Sequence, residues 1–165
     1  MLSVKIKLLF LFLISSVFCF GQESETVLQD RNYIFRSVEE IKAHPENVYR
    51  LNLSKQKLDT FPPEIFLCVN LVELDLSKNK IEEIPAEIGS LVNLERFAMA
   101  NNGLVHLPKE IGLLTKLKYL GLNRNLIEDL PAEIGDLESL EVLELWDNEL
   151  KDIPDVEGMY SRYVS

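Results

Sequence analysis

Cysteine is almost absent from this chain. Its 165 residues contain two, Cys19 and Cys68, and the first falls in a stretch that reads as a removable leader. Cys68 is then alone in the mature chain, which excludes a disulfide-stapled extracellular mini-domain and any Cys-rich zinc site. Histidine is equally scarce: His44 and His106 stand far apart and belong to no metal-ligand or catalytic-triad spacing. Positive charge is short as well, 17 basic against 27 acidic residues for a net −10. That balance repels phosphate backbones and sets nucleic acid aside as a partner. Apolar residues, at 47%, are too many for wholesale disorder, and the length suits one modest domain. Tryptophan occurs once, as Trp146 in the stretch LELWDNEL at 143–150.

The one long apolar run lies at the start. Lys5 and Lys7 precede Leu8 to Phe20, interrupted by Ser15 and Ser16. A short positive region, an apolar core and smaller residues at Cys19 and Gly21 are the layout of a secretory signal peptide, with cleavage expected before Gln22. The run is shorter than the roughly 20 apolar residues of a spanning helix, and Phe18 is too bulky to precede a lipidated cysteine. Residues 1–21 therefore predict export to the periplasm, cell surface or exterior, with no membrane insertion after cleavage. An uncleaved anchor is the alternative. Removal takes two lysines and no acids, moving the net charge from −10 to −12, and leaves a core that must suffice without disulfides.

Repetition organises the rest. A step of 23 residues from Val48 reaches Leu71, Leu94, Leu117 and Leu140, with no insertion or deletion. Position 4 of this grid is Leu51, Leu74, Phe97, Leu120 and Leu143; position 6 is Leu53, Leu76, Met99, Leu122 and Leu145. Position 11 is always Leu or Ile, and position 15 is always proline, from Pro62 to Pro154. Apolar residues at positions 4 and 6 predict a short strand with one buried face. Position 9 carries Gln56, Asn79, Asn102, Asn125 and Asn148. An amide at a bend must find partners, and stacked copies can bond the neighbouring repeat's backbone, so the four asparagines are expected to form a structural ladder. The second half, LPxEIGxL, predicts a short helical or 3₁₀ turn. Proline at its first position loses no needed N–H. Glu64, Glu87, Glu110 and Glu133 suit the positive end of its dipole, and Gly89, Gly112 and Gly135 suit its stop.

These repeats resemble the leucine-rich repeat family, in five registers over residues 48–154, at the 23-residue period of the typical class. The leader makes the resemblance one to an exported, bacterial-type member. The resemblance implies an α/β solenoid, a leucine-rich-repeat horseshoe with a parallel concave sheet and short helical or 3₁₀ turns on the convex side. It also implies binding, because members bind proteins, and less often glycans or lipids, usually along the concave face.

The flanks depart from the grid. Residues 22–47 are expected to be an N-terminal lead and a helical cap, since a solenoid must cover its terminal core. Within the cap, Ser37 followed by Glu40 is a capping-box signature, and Ile34, Val38 and Ile41 supply an apolar helix face. At the far end, residues 155–165 place Glu157 and Tyr160 where the grid asks for Ile and Leu. Met159, Tyr160 and Tyr163 folding back as a cap, a frayed end and a shortened chain are the readings open there.

Side chains between buried strand positions point to the other face, so positions 3, 5, 7 and 8 are expected on the concave surface. Tyr119, Trp146 and Arg124 then surround a depression left by Ala98, Ala100 and Gly121, with Arg96 on the same face. Tyr, Trp and Arg are the types enriched at binding hot spots. Trp146 has two readings, a contact residue or a cover over the open end of the last strand. Lys55, Lys78 and Arg124 form a basic row at a strand spacing of about 5 Å. Either that row meets an acidic partner group, or Glu73, Asp75 and Glu144 neutralise it.

Enzymatic readings fare poorly. Glu73 and Asp75 share a face, but glycoside hydrolysis needs a gripping groove and one raised carboxyl pKa, which an open sheet does not supply. Cys68 takes a position held elsewhere by leucine and is expected in the core; His106 is expected to be exposed. The NLS stretch at Asn52 fits a glycosylation acceptor, a pattern frequent by chance. The sequence points to an exported, non-catalytic module without cofactor or metal, recognising a protein or peptide on its concave face toward the C-terminal repeats. Surface adhesion through a glycan or host protein, and a shortened copy with no independent activity, are the alternatives.

Overall fold

The computed structural model describes residues 30–151. The leader, the lead up to residue 29 and the irregular end with Pro154 lie outside the described residues. Within them, six parallel strands stand in sequence order: β1 (Ile34–Phe35), β2 (Arg50–Asn52), β3 (Glu73–Asp75), β4 (Arg96–Ala98), β5 (Tyr119–Gly121) and β6 (Val142–Glu144). From β2 onward the register repeats without slip, Leu51 beside Leu74, Phe97, Leu120 and Leu143. Beyond each short strand the ladder continues. The position 6 N–H donates to the next repeat's position 5 carbonyl at 2.7–2.8 Å, and the position 8 N–H to its position 7 carbonyl at 2.8–3.0 Å.

The backbone turns left-handed at position 8. Lys55, Lys78, Asn101, Arg124 and Asp147 have φ of 59–63°, and Lys57 joins them at 61°. Such a conformation costs a residue with a Cβ roughly 1–2 kcal/mol, and it swings the position 9 amide under the sheet. Asn79, Asn102, Asn125 and Asn148 each donate to two position 6 carbonyls, their own repeat's and the preceding one's, at 2.7–3.1 Å. Each also accepts a position 11 N–H of the preceding repeat at 3.1–3.2 Å. Gln56, longer by one methylene, instead reaches back to the carbonyl of Arg36 in the cap.

The opposite side carries five-residue 3₁₀ turns at Pro63–Leu67, Ala86–Ser90, Lys109–Leu113 and Ala132–Asp136. Each follows an extended proline whose carbonyl accepts the isoleucine N–H three residues on, at 3.1–3.2 Å. The turn glycines are not stops. Gly89 and Gly112 sit inside the turns, where a Cβ would lie 2.8 Å from Leu113 Cδ1 and 2.6 Å from the Glu133 carbonyl oxygen respectively. Their missing side chains let successive turns stack. Gly135, in the last described turn, is exposed. Phe66 occupies this position in the first turn and stacks on Phe61, with ring centroids 5.2 Å apart.

Between sheet and turns runs one core of leucine, isoleucine and phenylalanine, with Cys68 fully buried as the sequence suggests. Each such large side chain removed from water contributes about 1.5–3 kcal/mol. Leu143, Leu145 and Leu150, on the last described strand and beyond, are only partly buried. At the other end Phe35 and Ile41 close the core. Helix α1 (Val38–Lys42) starts at Ser37, whose Oγ accepts the Glu40 N–H at 3.2 Å. The returning bond runs from the Arg36 N–H to Glu40 at 2.9 Å, one residue earlier than a standard capping box. Ile34, expected on the helix face, lies in β1 instead. Strand pairing with β2 wins there, because it satisfies backbone groups that the first strand would otherwise leave open.

Candidate binding site on the concave face

Strand β5 presents Tyr119 to the open face. Its hydroxyl donates to Glu144 Oε2 at 2.9 Å, and the guanidinium of Arg96, one strand back, lies 3.7 Å from the ring centroid. The ring also covers Gly121, where a Cβ would stand 2.7 Å from the Tyr119 oxygen. The space vacated by Gly121 is therefore filled by Tyr119 rather than left as a depression, and Gly121 and Asn123 are buried. Partial burial pushes the phenol pKa of Tyr119 up; the hydrogen bond and charge of Glu144 add to this, and Arg96 opposes it.

Trp146 follows β6 and is 53% exposed. The guanidinium of Arg124 lies 4.8 Å from its ring centroid, while Arg124 Nε is 3.7 Å from Asp147. A cation over an indole contributes about 0.5–1 kcal/mol at an exposed site, and an exposed ion pair at most about 1 kcal/mol. The structure thus arranges the expected residues as two bonded groups, Arg96–Tyr119–Glu144 and Arg124–Trp146–Asp147. Sequence reading identified the aromatics and arginines but missed Glu144 and Asp147 as their partners.

Lys55 and Lys78 project from the left-handed position, exposed, and form no ion pair with described residues. The carboxylates expected to neutralise them are engaged elsewhere. Glu73 pairs with Arg50 at 2.8 Å. Asp75 accepts from Asn52 Nδ2 at 3.2 Å and from the Ser77 N–H at 2.9 Å, and Glu144 holds Tyr119. The row is interrupted at Asn101, and Arg124 shares its charge with Asp147. Asn52, half-buried and bonded through both amide atoms, is a poor glycosylation acceptor in this fold.

A separate groove of about 490 Å³ runs along the strands' leading edge, lined by Arg31, Tyr49, Arg50, Asn70, Asn93 and Lys116 among others. Arg31 stacks on Tyr49 at 4.9 Å there. His106 is exposed and bonds Asp129 at 2.8 Å. Among the described residues no cluster of three His, Cys, Asp or Glu side chains could hold a metal, and no helix is long and apolar enough to cross a membrane.

An unbroken parallel sheet on one side, proline-led turns on the other and an asparagine ladder between them define a repeat solenoid whose open sheet presents side chains outward. A leucine rich repeat family model matches residues 46–104 and 92–150, and the chain belongs to that family. Among solved structures it is similar to a leucine-rich-repeat protein of Leptospira interrogans, at 32% identity over 80% of this chain with a TM-score of 0.62. It is similar also to the ectodomain of the plant membrane receptor kinase GASSHO1/SCHENGEN3 from Arabidopsis thaliana, solved with Casparian Strip Integrity Factor 2, at 30% identity over 79% of this chain and a TM-score of 0.65. The PEPR1–AtPEP1 structure matches at 28% identity over 78% of this chain, again with a TM-score of 0.65. The chain spans 40% of the leptospiral protein and 16% and 18% of the two plant chains. Comparison with curated proteins finds no match.

Proposed function

We propose that this chain is an exported, non-catalytic binding module that takes a protein or peptide partner on its concave face, centred on the C-terminal repeats. The observation that carries the proposal is the pair of arginine-backed aromatics, Tyr119 under Arg96 and Trp146 under Arg124. Arginine stacking, joined at Tyr119 by a hydrogen bond, restrains these large amphipathic side chains on an open surface, so less rotamer freedom is lost when a partner arrives. The exposure of Trp146 favours contact over cover, since a lid would bury its own ring while shielding Leu143 and Leu145. The plant ectodomains of similar fold, solved with bound partners, support the reading by analogy. Export enters from the leader pattern of residues 1–21, and N-terminal sequencing of protein recovered outside an expressing cell tests it.

Because Trp146 is the only tryptophan, its fluorescence reports directly on the site. The full chain would be used to capture partners, with Trp146→Ala and Tyr119→Ala as matched variants. The expected outcome is an emission shift on binding, loss of the partner in both variants and melting temperatures within a few degrees of the parent. A partner retained by Trp146→Ala, together with a clearly lower melting temperature, would instead make Trp146 a cover for the last strand.

A further inference from the structure

Two successive loops place lysines on both sides of the position 9 amide: Lys55 and Lys57 flank Gln56, and Lys78 and Lys80 flank Asn79. All four are exposed and none forms an ion pair with a described residue. The backbone holds them together. The Lys55 N–H donates to the Ser77 carbonyl at 3.0 Å, and the Lys80 N–H to the Leu58 carbonyl at 2.7 Å. Three of the four sit at φ 61°, so the backbone fixes the direction in which each of these side chains leaves the turn. Asp59, Glu82 and Glu83 line a separate depression with Phe61 and Pro85, beyond Leu58 and Ile81, which pack into the core.

We infer that this lysine rim docks a short carboxylate-rich segment of a polypeptide partner lying on the concave face. The inference rests on the proposed protein- or peptide-binding role and names the chemistry of one end of the partner. Charge complementarity selects an anion, and the rest of the chain limits its size. At physiological salt a charge is felt over about 8 Å, so a short acidic segment meets the four lysines and the neighbouring Ser54 and Ser77. An anionic membrane or a long polyanion would also meet the remaining surface of a chain with net charge −10 and be repelled.

The test titrates the full chain into a short fluorescent polyglutamate peptide and its polyglutamine counterpart, at low and high salt. Polyglutamate should bind about tenfold tighter than polyglutamine, with the preference lost at high salt. Changing all four lysines to glutamine should weaken polyglutamate binding about tenfold, whereas Lys109→Gln, on an exposed turn, should leave it unchanged. Circular dichroism checks that the variants remain folded. Equal binding of the two peptides, unchanged affinity in the lysine variant or preference for phosphatidylserine vesicles over polyglutamate would overturn the inference. A captured partner that shifts Trp146 emission and is still held by the lysine variant would overturn it too, while leaving the proposed function standing.

Discussion

Removing the amide of Asn125 should cost this solenoid about 3 kcal/mol, and the ladder geometry shows why the figure is neither 1 nor 6. Asn125 is buried, at 5% exposure. Its Nδ2 donates to the Met99 carbonyl at 3.1 Å and to the Leu122 carbonyl at 2.8 Å, and its Oδ1 accepts the Leu104 N–H at 3.2 Å. The two carbonyls are not orphaned in Asn125→Ala, because Met99 keeps the bond from Asn102 and Leu122 keeps the bond from Asn148. Each loses one of two bonds, worth about 0.5–1 kcal/mol. The Leu104 N–H has no substitute and carries the unsatisfied-donor penalty of about 1–3 kcal/mol. The same substitution at half-buried Asn148 should cost about 1 kcal/mol, since water can replace the amide there.

Urea unfolding followed by far-ultraviolet circular dichroism measures this. With a slope of about 2 kcal/mol/M, Asn125→Ala should lower the midpoint by about 1.5 M at unchanged slope. Asn125→Asp sharpens the test through pH. A carboxylate there would face two carbonyl oxygens, so its folded pKa would be raised above the unfolded value of about 3.9. The variant should be most stable below that value and lose stability as pH rises through the folded pKa. Equal midpoints for the two alanine variants, or an Asn125→Asp variant indifferent to pH, would refute the ladder as a stabilising device.

Three further outcomes follow from the packing of turns, phenol and thiol. Gly112→Ala, whose Cβ would meet the Glu133 oxygen at 2.6 Å, should cost about 1–3 kcal/mol through forced separation of the turns, while Gly135→Ala, on an exposed turn, should be near neutral; paired thermal melts compare them. Tyr119 should ionise above the ordinary tyrosine value in an ultraviolet titration, a late component missing from Tyr119→Phe. Because its folded pKa is raised, its contribution to stability should be complete below the unfolded value of about 10 and fall as pH rises through the folded value. Cys68, its thiol pushed up to about 11 by burial, should resist a thiol reagent in the native chain at neutral pH and react at the rate of unfolding. Rapid labelling without denaturant would show that the core is open at that point.

How far the sequence disclosed this arrangement depended on which periodicity was consulted. Apolar residues repeating at positions 4, 6 and 11, with proline at 15, could satisfy only a fold in which each turn lies on the last, so strands, turns and core followed. What the grid hid was conformational. Alternation along a strand says nothing of a left-handed residue, and lysine, asparagine, arginine and aspartate at position 8 give no glycine to announce one. The turn glycines misled for a related reason, because glycine serves both a stop and a close approach, and only the neighbouring turn distinguishes them. For the site, one of the two missing partners was nonetheless accessible, Asp147, 23 residues beyond Arg124. In a solenoid, residues 23 apart are neighbours just as residues four apart are on a helix, and opposite or complementary groups recur at that separation: Arg50 with Glu73, Glu95 with Lys118, His106 with Asp129 and Glu128 with Lys151. Charged side chains around the solenoid are thus often paired with a counterpart one repeat away. That reasoning isolates the four lysines around Gln56 and Asn79, which have no acidic counterpart at that separation among the described residues, as a place where the surface still has contacts to make.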